Sequence, residues 1–190
     1  MTLAEIIIAM ALVGMMFIGI FSMALTSRRL TEAAVYQNAA TTVMQGYIEQ
    51  MKNMDYAELL LSPAAGTSPT GGYGTNAAYI IPTRKNESST GSDTLVVSPL
   101  PVIDPTTIAP GTIPSTVYDN IKTADDVNGT VGDMKLHIWL WVEDKTPSGT
   151  NGTYQIKAIT FVYTWEFKDG SSTKYTTWSV RSMRSLVPTF

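Results

Sequence analysis

The sequence predicts an α+β protein: one long N-terminal α-helix whose apolar first half protrudes, and whose amphipathic second half packs on a C-terminal antiparallel β-sheet. Three patterns carry this reading. Ile6 to Leu25 is an uncharged apolar run of twenty residues, about 30 Å as a helix and so the thickness of a bilayer's hydrocarbon core. Beyond Arg29 the apolar residues recur at helical spacing. After Asp133 they alternate with a period of two, as strands do.

Four segments follow from these patterns. Residues 1–27 form an apolar membrane-spanning or filament-core helix, in which Ser22 is the only strongly polar side chain of the run and Gly14 and Gly19 are the only poor helix formers. Residues 28–61 continue the same helix. There Tyr36, Ala40, Met44, Tyr47, Met51 and Met54 form one stripe, while Gln37, Asn38, Thr41, Gln45, Glu49, Gln50 and Lys52 occupy the other side. No proline precedes Pro63, so a single helix is expected from about residue 2 to about residue 60, roughly 85–90 Å long.

Residues 62–133 are expected to be a surface region. Between Ser62 and Thr116, 31 of 55 residues are Pro, Gly, Ser or Thr, which argues against continuous secondary structure. Ala78–Ile81 and Leu95–Val97 are short apolar runs able to pin this region to the body. A covering loop and a flexible linker both fit the composition. Residues 134–190 are the sheet. Leu136, Ile138, Leu140 and Val142 alternate with His137, Trp139, Trp141 and Glu143, and Ile159, Phe161, Tyr163, Trp165 and Phe167 alternate with Thr160, Val162, Thr164 and Glu166. Lys168–Ser172 supplies a Gly-containing turn, and Lys174–Met183 reads as the return strand, giving an antiparallel meander of at least three strands.

Composition narrows the function. A net charge of −3, from 13 basic and 16 acidic residues, provides no basic field for nucleic acid. The absence of cysteine removes disulfides, thiolate metal sites and cysteine nucleophiles. The single histidine, His137, has no readable triad or metal partners and reads as a surface or interface residue. No catalytic constellation and no cofactor site emerge. Tyr36, Tyr47 and the tryptophans read as packing residues.

The flanks of the apolar run are unusual. Only Met1 to Glu5 precede it, and their one charged side chain is acidic, whereas a signal peptide carries basic residues there. Arg28 and Arg29 follow it, and the positive-inside rule would then hold the rest in the cytoplasm. The Ser/Thr-rich loops suggest an outside surface instead. Removal of a short basic leader, with Met1 as a processed terminus, reconciles the two. A cytoplasmic protein anchored with Met1 as initiator is the alternative.

Met1-Thr2-Leu3-Ala4-Glu5 leading into an apolar span, followed by an amphipathic continuation, a Ser/Gly/Pro-rich loop and an antiparallel sheet, resembles the bacterial type IV pilins and their pseudopilin relatives. The resemblance is strongest over about the first 30 residues. It implies cleavage by a prepilin peptidase, methylation of Met1, passage through the inner membrane, and polymerisation by the pilus assembly machinery into a surface fibre. The apolar helices of such a fibre bundle inside. Met1, Thr2, Leu3 and Glu5 match the family pattern, and with Ile6, Ile7, Met10, Gly14, Phe17 and Phe21 they make up the implied assembly surface. Ser22 stands where many members have proline, and the disulfide that closes a C-terminal loop in many members has no counterpart. A minor pilin, a secretion or DNA-uptake pseudopilin, a membrane-anchored binding module and a single-span enzyme are the rival readings.

Glu5 raises a question of its own. A desolvated carboxylate needs a cation or must protonate, and the first basic side chain, Arg28, lies more than about 30 Å along the helix. Its partner is then a Met1 amine, its own or a neighbour's, unless Glu5 only complements the helix N-terminus. Asp125, Asp126, Asn128 and Asp133 form either an oxygen-rich cation site or an ordinary acidic loop, and their spacing departs from the EF-hand pattern. Asn86, Asn128 and Asn151 begin Asn-x-Ser/Thr triplets, candidate glycan sites in a chain where such triplets also arise from composition.

Overall fold

The structure is a computed structural model, and it describes residues 2–68, 76–84, 92–109, 112–122, 135–147, 155–169 and 172–186. Among these residues it is an α+β arrangement of one long N-terminal helix, α1 (Leu3–Asn53), and six strands. The strands are β1 (Ile80–Arg84), β2 (Ser92–Val96), β3 (Asn120–Lys122), β4 (Lys135–Asp144), β5 (Gln155–Asp169) and β6 (Ser172–Leu186). β1 and β2 form an antiparallel hairpin, and β3-β4-β5-β6 form a four-stranded sheet in that order, antiparallel throughout.

Two-residue alternation explains why the sheet is covered on both faces. Leu136, Ile138, Leu140 and Val142 of β4, with Ile159, Phe161, Tyr163 and Trp165 of β5, meet Ala40, Val43, Met44, Tyr47 and Met51 of α1 in the main core. The opposite face carries Trp139, Trp141 and Val162, closed by Val117 together with Leu100, Val102, Ile103 and Ile108. The Trp141 indole N–H donates to Pro99 O at 2.9 Å, which satisfies a buried donor. The sheet is therefore a middle layer, with helix and hairpin on one side and an extended loop on the other.

The helix ends earlier than its periodicity suggests. It stops at Asn53, about 77 Å from its start, rather than near residue 60, so residues 54–61 of the expected amphipathic segment leave it. The cause is tertiary. Met54 turns to extended backbone, Arg184 Nη1 donates to Met51 O at 2.9 Å, and Lys157 Nζ donates to Tyr56 O and Leu59 O at 2.9 and 2.7 Å. Arg184 satisfies a carbonyl that the terminating helix leaves orphaned and complements its negative end, while Lys157 holds two carbonyls of the segment that follows. Burial, reinforced by the nearby Arg184 charge, holds the Lys157 ammonium below the usual lysine range against the pull of Asp144. Leu59 is then free to turn back into the core.

The described parts of the 62–133 region are also more structural than a covering loop. Ile81, Leu95 and Val97 are fully buried in the main core, and β3 joins the sheet as its fourth strand. Among the described residues β3 pairs with β4 at Leu136, His137 and Ile138. Further along β4 the same edge is sealed by Ser98 N–H donating to Leu140 O at 2.6 Å and Ser62 N–H donating to Val142 O at 2.8 Å. Asn120 ties hairpin to sheet: its Oδ1 accepts from Val96 N–H at 2.8 Å, and its Nδ2 donates to Val96 O and Ile138 O at 3.0 Å each.

A polar cluster joins three elements at the hairpin. The Tyr47 hydroxyl of α1 donates to Asp93 Oδ2 of β2 at 2.6 Å, and Lys122 Nζ of β3 donates to Asp93 Oδ1. Burial pushes the Asp93 carboxyl up, but the hydrogen bonds from Lys122, Tyr47 and the Thr94 backbone outweigh it and hold the group below the usual carboxylate range. A carboxylate with a depressed native pKa stabilises the fold above its unfolded pKa and loses that contribution as pH falls through the native value.

Two outcomes follow for residues 28–190 prepared without the preceding segment. They are expected to be a soluble, cooperatively folded monomer, and Met44→Ala within them should cost about 2–5 kcal/mol in urea denaturation; aggregation without a folded signal would refute the packing scheme. Asp93→Asn should cost about 1–3 kcal/mol at pH 7 and flatten the decline in denaturation midpoint below about pH 5. An unchanged acid slope would remove Asp93 from the account.

Candidate assembly surface

The first half of α1 is built to be buried, yet none of the described residues of its own chain buries it. Every residue from Thr2 to Glu32 is exposed, and the first buried position is Ala40. Fifteen large apolar side chains from Leu3 to Leu25 face outward, among them Met15 at 70% and Met23 at 75% exposure. At about 1.5–3 kcal/mol for each such side chain, removing them from water is worth on the order of 20–45 kcal/mol as an upper bound. A whole domain is stable by only about 5–15 kcal/mol, so an aqueous surface is untenable for this segment.

The surface is a cylinder, not a stripe. Leu3, Ile6, Ile7, Met10, Phe17 and Phe21 are all exposed, as the resemblance requires, but so are Ile8, Leu12, Met16, Ile18 and Ile20 around the rest of the circumference. A helix that is apolar all round is one buried on all sides, in lipid or among other helices. The expected assembly residues are therefore a subset of a continuous surface, and the geometry does not single them out. Gly14 and Gly19 leave open space beside the backbone, with no atom near the position a Cβ would take. Backbone-to-backbone approach of another helix is open there.

Polar side chains near the end of this segment are paired within the helix. Thr26 Oγ1 donates to Ser22 O at 2.9 Å, returning a hydroxyl to the helix's own ladder. Arg28 Nε donates to Glu32 Oε1 at 2.9 Å, an exposed i,i+4 pair at the point where the apolar run has ended.

Glu5 has a role that reasoning about charge alone missed. The Thr2 backbone N–H donates to Glu5 Oε2 at 2.8 Å, and the Glu5 N–H donates to Thr2 Oγ1 at 3.4 Å. This is a reciprocal capping box with Thr2 as N-cap. Its signal was present in the sequence as Thr2-x-x-Glu5. The cap places the carboxylate against the first turn, where it also complements the helix's positive end, and occupies one oxygen with a backbone donor. Met1 lies outside the described residues, as do the candidate cation ligands Asp125, Asp126, Asn128 and Asp133 and the candidate glycan sites Asn86, Asn128 and Asn151. Among the described residues no group of three or more His, Asp or Glu side chains is arranged to hold a metal.

No protein-family model, curated protein or solved structure matches this chain.

The chain's lack of cysteine makes single-site labelling clean. A spin label on Phe17→Cys in phospholipid nanodiscs should be accessible to oxygen and protected from a water-soluble nickel chelate, and one on Gln45→Cys should show the reverse. Equal chelate access at both sites would show that the first half of α1 does not leave water.

Proposed function

We propose that this chain is a structural subunit of type IV pilin type, which polymerises through the first half of α1 into an extracellular filament. The observation that carries the reading is the continuous helix itself: an apolar cylinder from Leu3 to Leu25 without a partner among the described residues of its own chain, rigidly extended into a stripe buried in the head. The residues Met1 to Glu5, which resemble the start of processed pilins, support it. In this reading a leader is removed by a prepilin peptidase, Met1 is methylated, and the subunit waits in the inner membrane. The assembly machinery then transfers the cylinder from lipid into a bundle of identical helices, both being apolar surroundings. Heads form the outside. The rival with a different surface chemistry is a binding module on a single-span anchor, in which the cylinder stays in lipid.

Glu5 separates the two. In a bundle, a Glu5 carboxylate paired with a neighbour's Met1 amine sets the stagger between helices, in addition to its cap on Thr2. Gln at this position preserves the capping box and removes the charge. Glu5→Gln should therefore leave the head folded and the chain membrane-inserted while the yield of sheared surface fibre falls at least tenfold. Breaking one side of a buried pair typically costs about 3–5 kcal/mol, and each 1.4 kcal/mol is about a factor of ten in association. Glu5→Ala, which also loses the cap, should be no better. Normal fibre yield with Glu5→Gln would reject the pairing, and a chain found only in membrane fractions, never in sheared material, would favour the anchored module.

A further inference from the structure

The loop-covered face of the sheet changes character along its length. Where Trp139, Trp141 and Val162 form the floor, the covering loop meets them apolar on apolar. One row further the floor becomes polar: His137, Thr164 and Thr177 lie side by side across β4, β5 and β6, and Lys135, Glu166 and Tyr175 form the next row. The roof does not change with it, because Ile108 and Ile113 still supply it. The mismatch leaves a cavity of about 340 Å³ between floor and roof, with Ile121 and Trp139 on its walls. That is at the lower end of the range of small-molecule sites.

We infer that this cavity is a binding site for a neutral, polyhydroxylated ligand the size of one sugar ring. Among the described residues of the floor the formal charges cancel, Lys135 against Glu166, which favours neither an anion nor a cation. Donors and acceptors are balanced. Lys135 donates, Glu166 accepts, and Tyr175 does either. Thr164 and Thr177 share one hydrogen bond at 2.7 Å, which leaves further hydroxyl capacity for a ligand. His137 Nδ1 is bound to Asp119 Oδ2 at 2.8 Å. Hydroxyl groups, each both donor and acceptor, match such a floor, while the C–H face of a pyranose ring suits the isoleucine roof and the Trp139 wall. Water alone would satisfy the floor but leave the roof wet.

This site stands apart from the assembly surface, and its test does not require fibres. The full chain is prepared in a zwitterionic detergent without a sugar headgroup and titrated with D-glucose, D-galactose, D-mannose and N-acetyl-D-glucosamine, followed by saturation-transfer difference NMR. At least one sugar should saturate with a dissociation constant on the order of 1–10 mM, as expected for about a dozen heavy atoms. Glu166→Gln and Thr177→Val should each weaken it about fivefold or more. Thr176→Val, on the opposite face of the same strand, should not change it. Absence of saturation for all four sugars up to about 100 mM would overturn the inference, as would equal losses in Thr176→Val or saturable binding of choline or acetate in place of the sugars.

Discussion

One helix has to satisfy two different surroundings. From Ala40 to Met51 it contributes a stripe to a core shared with β4, β5 and the hairpin, and its other side is polar. From Leu3 to Leu25 it is apolar on every side and is covered by none of the described residues of its own chain. No break separates the two regimes, since α1 runs unbroken from Leu3 to Asn53. The head therefore fixes the direction in which the apolar cylinder projects, and whatever surrounds the cylinder fixes the orientation of the head. The remaining architecture can be read as the means by which the second half of the helix is held firmly enough for that coupling.

The fastening comes from parts of the chain remote in sequence. Arg184 and Lys157, on the last two strands, hold carbonyls at and beyond the helix end, and Tyr47 on the helix reaches the hairpin through Asp93 and β3 through the same carboxylate and Lys122. A hydroxyl of α1 also reaches the sheet, where Tyr163 is bonded to Thr41 and burial holds its phenol above the usual tyrosine range. The region between helix and sheet contributes as well. It seals the edge of β4 through Ser62 and Ser98 and roofs the far face of the sheet. Backbone groups that would otherwise offer an open edge to other chains are in this way paired within the molecule.

Much of this was legible in the sequence because it rests on periodicity. The apolar run, the stripe through Ala40, Met44, Tyr47 and Met51, and the alternation in β4 and β5 each repeat often enough to define a face. What was not legible depends on single residues or on distant partners. The helix end at Asn53 carries only weak local signals, Lys52 in the last turn and the Asp55 turn, and is fastened from a distance by Arg184 on Met51 O. β3 is only three residues long and depends on Asn120, whose side chain bridges hairpin and sheet. Ile81, Leu95 and Val97 sit in runs too short to announce a strand against so much Pro, Gly, Ser and Thr. The buried Trp139 and Trp141 followed the expected alternation, but the identity of their cover, Val117 with Leu100, Val102 and Ile103, is a tertiary fact. At the proposed assembly surface the residue types were readable and the capping box was written in four consecutive residues. Which part of the cylinder faces a neighbour is not encoded by a pattern uniform around the helix.

The central claim is that the apolar cylinder is buried by copies of itself. Electron cryo-microscopy of fibres sheared from cells expressing the chain, at a resolution that traces α-helices, tests it most directly. The account predicts a core of parallel helices in which residues 3–25 of each copy contact the same segment of several others, with sheets and loops outside. Fibres whose core lacks these helices, or in which each helix is surrounded by lipid rather than by other copies, would contradict it.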